Sequence, residues 1–250
     1  MTVDRSDHDQ QTREIEAAAL AALRSQARLG PNFHPEELRL EPDGVLLLRG
    51  LVEDVAAKKT ALEAVARLGG IRGIADHLHV MPAARMADDE LRVHVRNGLI
   101  TDPSLEGLEI YDIDDGAVRL MRGAPLGVRG RIEVEVKKGL VILNGSVPGL
   151  TTKRLAGIIA WWVPGTRDVI NGLAVEPPED DNPNQIAEAV RVALEKDPFV
   201  NADQIHIGVS TTLVRLTGVV PKESERAAAE RDAWLIFGVD RVINEITVRA

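Results

Sequence analysis

The sequence predicts an α+β fold of three tandem two-layer α-β-β-α-β sandwiches, each a small mixed sheet covered by two helices on one face. Two glycine positions recur in each repeat at the same offsets. From repeat one to repeat two both shift by 95 residues (145−50 and 165−70), and from repeat two to repeat three both shift by 73 (218−145 and 238−165). A period of this size indicates three small domains in tandem rather than a solenoid. The landmarks are Gly50, Gly145 and Gly218 at one position and Gly70, Gly165 and Gly238 at the other.

The first repeat is predicted to hold a helix, a β-hairpin, a second helix and a closing strand. The first helix starts near residue 13, after a disordered lead-in, and the Gly-Pro pair at 30–31 ends it. Asp43-Gly44 favours a type I′ hairpin turn, since such a turn needs positive φ. The predicted bounds are 37–40 and 45–49 for the hairpin, 54–68 for the second helix and 74–80 for the closing strand.

The second repeat carries an insertion. Its first helix starts near Asp88 and ends at Asp102. The matching residue of repeat three, Asp197, lies 95 residues later (197−102), whereas the glycine positions of these two repeats are 73 apart. Repeat two therefore carries 22 additional residues (95−73), near 114–131. Residues 115–123 resemble 138–145, which indicates a duplicated hairpin segment with one or two additional strands; a long irregular loop is the alternative. A helix over 152–162 and a strand over 168–175 complete this repeat.

The third repeat follows a linker over 176–185 with four acids and three prolines, a composition that keeps a segment solvated. Asn182 as N-cap and Gln185 three residues later open its first helix. Strands over 204–208 and 213–217, a helix over 221–237 and a strand over 239–248 follow. The predicted domains are therefore 13–85, which is divergent, 86–176 with the insertion, and 183–250.

Two motifs of these repeats resemble the BON domain (bacterial OsmY and nodulation). Residues 139–147 match Gly-x-Val-x-Leu-x-Gly-x-Val, and 238–248 match Gly-Val-x-x-Val-x-Asn-x-Ile-x-Val, which 168–175 echo. The first repeat departs, since Asp76 follows Gly-Ile-Ala and no Asn is present there. The motif residues given a structural role are Gly44, Gly50, Gly139, Gly145, Gly218, Asn171 and Asn244.

The resemblance implies non-catalytic binding modules in bacterial proteins, some of them stress-induced. It implies contact with a phospholipid membrane surface or with a protein partner, and, because one family member binds potassium, sensing of an ion or small solute is the alternative function. The motif itself identifies the fold better than it identifies a ligand.

Composition narrows the classes of function. The net charge of −9 and the aromatic content of 3% disfavour binding to nucleic acid, which needs a positive field and stacking platforms. The lack of cysteine excludes disulfides, thiol nucleophiles and zinc–cysteine sites. The polar N-terminus has no apolar segment typical of a signal peptide, so we expect a cytoplasmic protein.

No cofactor, metal or catalytic site is predicted. His77 and His79 share one strand face but lack a third ligand, so they are interpreted as surface histidines. Asp112, Asp114 and Asp115 could suggest calcium, but turn formation is favoured because the twelve-residue calcium loop is missing. Because no elbow around a nucleophile or nucleotide-binding glycine loop is found, we expect that the chain is not an enzyme.

The insertion gives the one candidate contact surface. Residues 119–138 hold six bases against two acids, with apolar residues between them, so this segment could meet an anionic membrane or an acidic partner. The alternative is a solvated additional hairpin. The candidate contact residues are Arg119, Met121, Arg122, Arg129, Arg131 and, on the second helix of repeat two, Trp162 as an exposed contact.

Overall fold

The computed structural model describes residues 3–124, 127 and 129–249, with side chains from residue 9 onward. The chain divides into two compact units, Met1–Met81 and Pro82–Ala250. Repeat one forms the first unit, and repeats two and three together form the second.

The first unit is a three-stranded mixed sheet with two helices. Its strand order is β1-β2-β3, with β1 antiparallel to β2 and β2 parallel to β3, as the short turn and the helical crossover predict. Leu46 and Leu48 of the central strand are fully buried. The elements are α1 (Val3–Arg24), β1 (Glu37–Leu40), β2 (Val45–Val52), α2 (Val55–Ala66) and β3 (Gly73–Val80).

The first helix is longer than predicted. It already begins at Val3, so the disordered lead-in predicted for residues 1–12 is wrong for residues 3–12, while residues 1 and 2 lie outside the described part. The segment is polar, but it contains no Gly or Pro, and Gln10 Nε2 donates to Glu14 Oε1 one turn away at 3.0 Å. Low hydrophobicity therefore did not prevent the helix from extending.

The first hairpin turn also differs from the prediction. Only Gly44 has positive φ (83°), and its N–H donates to Glu41 O at 2.9 Å. A type I′ turn would need positive φ at Asp43 as well, so that turn type is wrong here. The glycine is nonetheless required, because an L-residue is strained at this φ.

The second unit contains the other two sheets. Repeat two forms a six-stranded sheet of order β5-β4-β6-β7-β8, with the short β9 also paired to β7, and repeat three forms a three-stranded sheet of order β10-β11-β12. The closing strand predicted over 168–175 is interrupted at 172–173 and forms β8 and β9. The elements are α3 (Asp88–Thr101), β4 (Leu108–Asp114), β5 (Ala117–Arg122), β6 (Gly130–Lys137), β7 (Leu140–Val147), α4 (Leu150–Trp162), β8 (Asp168–Asn171), β9 (Ala174–Val175), α5 (Pro183–Lys196), β10 (Ile205–Ser210), β11 (Leu213–Val220), α6 (Glu223–Leu235) and β12 (Arg241–Val248).

The inserted segment of repeat two forms a hairpin, β4-β5, and not a long irregular loop. Its turn residues Asp115 and Gly116 have φ of 47° and 82°, which matches Lys138 and Gly139 in the β6-β7 turn at 55° and 78°. Both turns have two residues between paired strand ends, as a type I′ hairpin requires. Residues 125, 126 and 128 of the insertion lie outside the described part.

The motif glycines of β7 and β11 mark places where a side chain cannot fit. Gly145 and Gly218 have φ of 114° and 142°. A Cβ at Gly145 would lie 2.3 Å from Arg131 O, and a Cβ at Gly218 would lie 2.0 Å from Gln204 O. The close approach of the preceding segment therefore explains the glycine at two of the three landmark positions, whereas a Cβ at Gly50 would still lie 3.3 Å from Glu36 N.

The motif asparagines join the closing strand to the second helix. Asn171 Nδ2 donates to Lys153 O at 2.7 Å, and Asn244 Nδ2 donates to Arg226 O at 3.0 Å. Both members of the bond are shifted by the repeat offset, since 244−171 and 226−153 equal 73. The asparagine of the family motif is therefore a structural bridge between strand and helix.

Repeat one makes the same bridge with different chemistry. The asparagine position holds Asp76 (171−95), and the helix position holds Lys58 (153−95). Lys58 Nζ lies 3.0 Å from Asp76 Oδ2 and donates to Leu78 O at 2.8 Å. The missing Asn that makes repeat one divergent is thus replaced by an ion pair at the same place.

We predict that Lys58→Ala lowers the free energy of unfolding of the first unit by about 1–3 kcal/mol, because Asp76 Oδ2 loses its ion pair and Leu78 O loses the lysine donor. Urea denaturation measures the change. The control is Arg67→Ala, which removes an exposed ion pair with Glu63 from the same helix and should cost under about 0.5 kcal/mol. Equal effects of the two substitutions would contradict the bridge.

Candidate functional site

The added strand β4 is fixed to the rest of repeat two by pairing and by charge. It runs parallel to β6, and on its covered side Asp112 Oδ2 lies 2.8 Å from Arg96 Nη1 of α3. Asp114 Oδ1 lies 3.1 Å from Arg92 Nη1. The turn role predicted for Asp112 and Asp114 is therefore wrong, since both lie in the strand, and only Asp115 occupies the turn.

The added strand β5 is an exposed edge strand. Val118, Leu120 and Met121 are 61%, 54% and 40% exposed. Val118 and Leu120 pair with Ile113 and Tyr111 of β4, on the sheet face opposite the helices. Within the described residues no strand pairs with the outer edge of β5, so its backbone groups on that side stay available to a partner.

One predicted contact residue of β5 has an internal structural role instead. The guanidinium of Arg122 donates to Ile100 O at 2.7 Å, Leu105 O at 2.6 Å and Leu108 O at 3.0 Å, with Leu99 O at 3.4 Å. It thereby satisfies carbonyls at the end of α3 and in the turn after it. Burial lowers the pKa of Arg122, although the group remains a cation.

The other predicted basic residues are exposed, with different surroundings. Arg119 of β5 is exposed, and so is Arg129, whose N–H donates to Gly107 O at 2.9 Å. Arg131 Nη2 lies 3.2 Å from Glu133 Oε1 on the open sheet face. The basic excess read from the sequence is therefore partly used inside the fold, by Arg122, and partly balanced at the surface.

We predict that Arg122→Ala lowers the stability of the second unit by about 2 kcal/mol, because several buried carbonyls lose a charged donor. Arg119→Ala on the same strand is the matched control and should change stability by under about 0.5 kcal/mol. Thermal unfolding of the two variants makes the comparison. A stable Arg122→Ala protein would contradict the internal role.

Helix α4 belongs to two cores at once. Leu155 and Ile159 lie in the core of repeat two, whereas Ile158 lies in the core of repeat three, and Trp162 packs against both. A helix with apolar residues on all sides is typical of burial between two layers. The apolar run at 155–163 was the sequence signal for this junction, and the prediction of an exposed Trp162 missed it.

Polar contacts fix the junction of repeats two and three. The exposure expected for Trp162 is not observed, because the ring is half-buried and its Nε1 donates to Asp232 Oδ1 of α6 at 3.0 Å. The fully buried Arg154 side chain donates from Nε to Phe237 O at 2.8 Å and from Nη2 to Asp181 Oδ2 at 2.6 Å. Sequence reasoning singled out neither Arg154 nor Asp232.

Asp232 titrates unusually for a carboxylate. It is 1% exposed, and burial raises its pKa to about 7 from 3.8. The hydrogen bond from Trp162 opposes this shift, whereas the negative charge of Asp197 and a hydrogen bond with it favour the protonated acid. In the folded protein Asp232 is therefore mostly protonated at pH values below about 7.

We predict that the second unit loses stability as pH rises from about 4 to about 7, since over this range only the folded Asp232 retains its proton. The loss is on the order of 4 kcal/mol at most. Asp232→Asn keeps the acceptor for Trp162 but does not titrate, so it should match the wild type near pH 4 and exceed its stability at pH 8. Asp240→Asn, which removes an exposed carboxylate, is the control for charge. A stability difference between wild type and Asp232→Asn that is independent of pH would contradict the assignment.

The described residues contain neither a metal-ligand cluster nor a membrane-spanning helix. His77 and His79 lie opposite Arg49 and Leu51 on one face of the first sheet, as predicted. No group of three or more His, Cys, Asp or Glu side chains in the described residues could hold a metal ion. None of the helices described is long and apolar enough to cross a bilayer.

Comparison with known families agrees with this geometry. The BON domain model matches residues 12–82, 125–177 and 182–250, more than half of the chain and once per repeat. The chain belongs to the BON domain family. The match to repeat two begins at residue 125, so it leaves out the added hairpin β4-β5 and also α3, the counterpart of α5, which that hairpin separates from the rest of its domain.

Other comparisons add little. No curated protein matches the chain. Two solved structures of CdsD, a structural protein of the type III secretion system of Chlamydia trachomatis, one of them its C-terminal domain, are 13% identical with a TM-score of 0.24. They cover 94% of this chain, and the chain covers 96% and 92% of theirs.

Proposed function

We propose that the chain is a non-catalytic scaffold of three BON domains that binds a protein partner by strand addition to β5. BON domains are binding modules, and the observation that carries the proposal is an edge strand with three exposed apolar side chains. Such an edge offers backbone hydrogen bonds for affinity and side chains on both faces for specificity. A protein without a partner for this edge usually protects it.

The charge around β5 favours a protein over an anionic membrane. Arg122 binds carbonyls inside the fold, and Arg131 and Lys137 each have a glutamate neighbour, Glu133 at 3.2 Å and Glu135 at 2.5 Å. The chain as a whole carries a net charge of −9, which repels anionic lipid. A single exposed strand also presents its side chains to two sides, whereas a bilayer surface needs one apolar side.

The chain is proposed to be non-catalytic because its partly or fully buried ionisable groups bind one another, the backbone or Trp162. Asp112 and Asp114 are paired with arginines of α3, and Asp232 accepts from Trp162. Arg154 holds the junction of repeats two and three. These groups stabilise the fold and do not converge on a common cleft, as an active site requires.

Site-specific photo-crosslinking tests the proposal. A photoreactive phenylalanine analogue replaces Leu120 on β5 in the full chain, expressed in its own host, and we expect a discrete adduct with a protein. The same analogue at Ile170, which is 48% exposed on β8 of the same sheet, is the matched control and should give no such adduct. Flotation of the purified chain with anionic phospholipid vesicles at low salt is the membrane arm.

The outcomes separate the two kinds of partner. An adduct at position 120 but not at 170, without flotation, supports binding of a protein. Flotation that V118K/L120K abolishes would assign β5 to a membrane surface and overturn the proposal. So would the lack of any adduct at position 120.

A further inference from the structure

Repeat three leaves open the place that repeat two fills with its added hairpin. A groove of about 330 Å³ runs between α5 and the edge strand β10. In the described residues no strand pairs with the outer edge of β10. In repeat two the equivalent edge, that of β6, is covered by β4, which lies in the sheet beneath α3. The chain itself therefore shows that an extended strand fits beside such an edge.

The charge of the groove differs between the two repeats. In repeat two Arg96 of α3 holds Asp112, so the side of the helix that faces the covering strand presents arginine and the strand presents a carboxylate. In repeat three the position of Arg96 holds Arg191 (96+95), but its guanidinium is already bonded to Glu195 at 2.7 Å and to Glu188. With Asp203 at the groove end, the lining has three acids against one arginine and one histidine, so it suits a basic strand.

Strand β5 has the matching properties. Among the described residues no strand pairs with its outer edge, it contains no acid, and Arg119 is its exposed base, since Arg122 is bound inside the fold. Arg119 lies opposite Asp112 in the β4-β5 register, so it is on the same sheet face as Asp112, the face that the helices cover. Its side chain is nevertheless exposed. A strand placed on β10 would turn that face towards α5, where Glu188 and Glu195 lie.

We propose that β5 of one copy of this chain pairs with β10 of a second copy, with Arg119 facing the acidic side of α5. The inference rests on the proposed function, because it names the partner of the same strand. Every copy carries both surfaces in its second unit, so the contact is head-to-tail. Head-to-tail contacts extend into chains or close into rings.

Sedimentation velocity of the purified full chain tests this contact over a wide range of concentration. We expect a mass that rises with concentration and falls with salt. V118K/L120K on β5 and E188R/E195R on α5 should each weaken the association about tenfold or more, by placing charge at the strand edge or by reversing the charge of the groove. I170K, on the edge strand β8, is the matched control and should associate as the wild type. Circular dichroism verifies that each variant is folded.

Mixing the β5 variant with the groove variant distinguishes a β5–β10 contact from other kinds of association. The β5 variant retains an intact groove, and the groove variant retains an intact β5, so an equimolar mixture should form dimers that neither variant forms alone. A wild type that stays monomeric, an I170K variant that is equally impaired, or a mixture without dimers would each overturn the inference. If the adduct at position 120 contains another protein while the purified chain stays monomeric, the proposed function stands and only self-association falls.

Discussion

The architecture depends on the unpaired edges of small sheets. A three-stranded sheet with helices on one face leaves two edges whose backbone groups need water or a partner. Repeat two resolves this on one side by adding β4 and β5, but the addition moves the free edge outward instead of removing it. Strand β5 forms this new edge and carries apolar side chains, while the groove beside β10 in repeat three has no added strand in the described part of the chain. The function proposed for the chain follows from this asymmetry.

The second constraint is the junction of repeats two and three. Helix α4 contributes to both cores, so neither BON domain of this unit can lose it without exposing apolar surface. Arg154 and Asp232 lie buried at the same place, where desolvation opposes them. Buried polar groups of this kind contribute less to stability than their contacts suggest, but they restrict how two apolar surfaces can be arranged. A fixed junction keeps β5 and the β10 groove in one compact unit.

Much of the fold was predictable, because its signals are local. The glycine landmarks predict the repeats, and Gly145 and Gly218 are glycines because strand contacts exclude a Cβ. The Asp115-Gly116 pair predicts the added hairpin, since positive φ at both positions makes a two-residue turn. The insertion was recognised from its length and its resemblance to the β6-β7 segment, both of which can be read without tertiary structure.

The candidate site was less predictable, because its residues act across the fold. Arg122 and Arg119 are both basic residues of β5, yet one binds carbonyls after α3 and the other stays exposed, a difference set by where each lies along β4, opposite Ile110 or Asp112. Trp162 follows an apolar run that indicates burial, but which core it joins depends on how repeats two and three pack. The bridge between Lys58 and Asp76 was hidden because an ion pair replaces the asparagine of the motif.

Hydrogen exchange of the backbone amides of β4 and β5 measures whether β5 has a free edge in solution. In dilute protein we expect slow exchange over residues 110–113 of β4, which are paired on both sides, and fast exchange at the outward amides of β5. Those β5 amides should become protected as the protein is concentrated. Amides of β5 that are as protected as those of β4 at every concentration would contradict a free edge, and with it the function built on that edge.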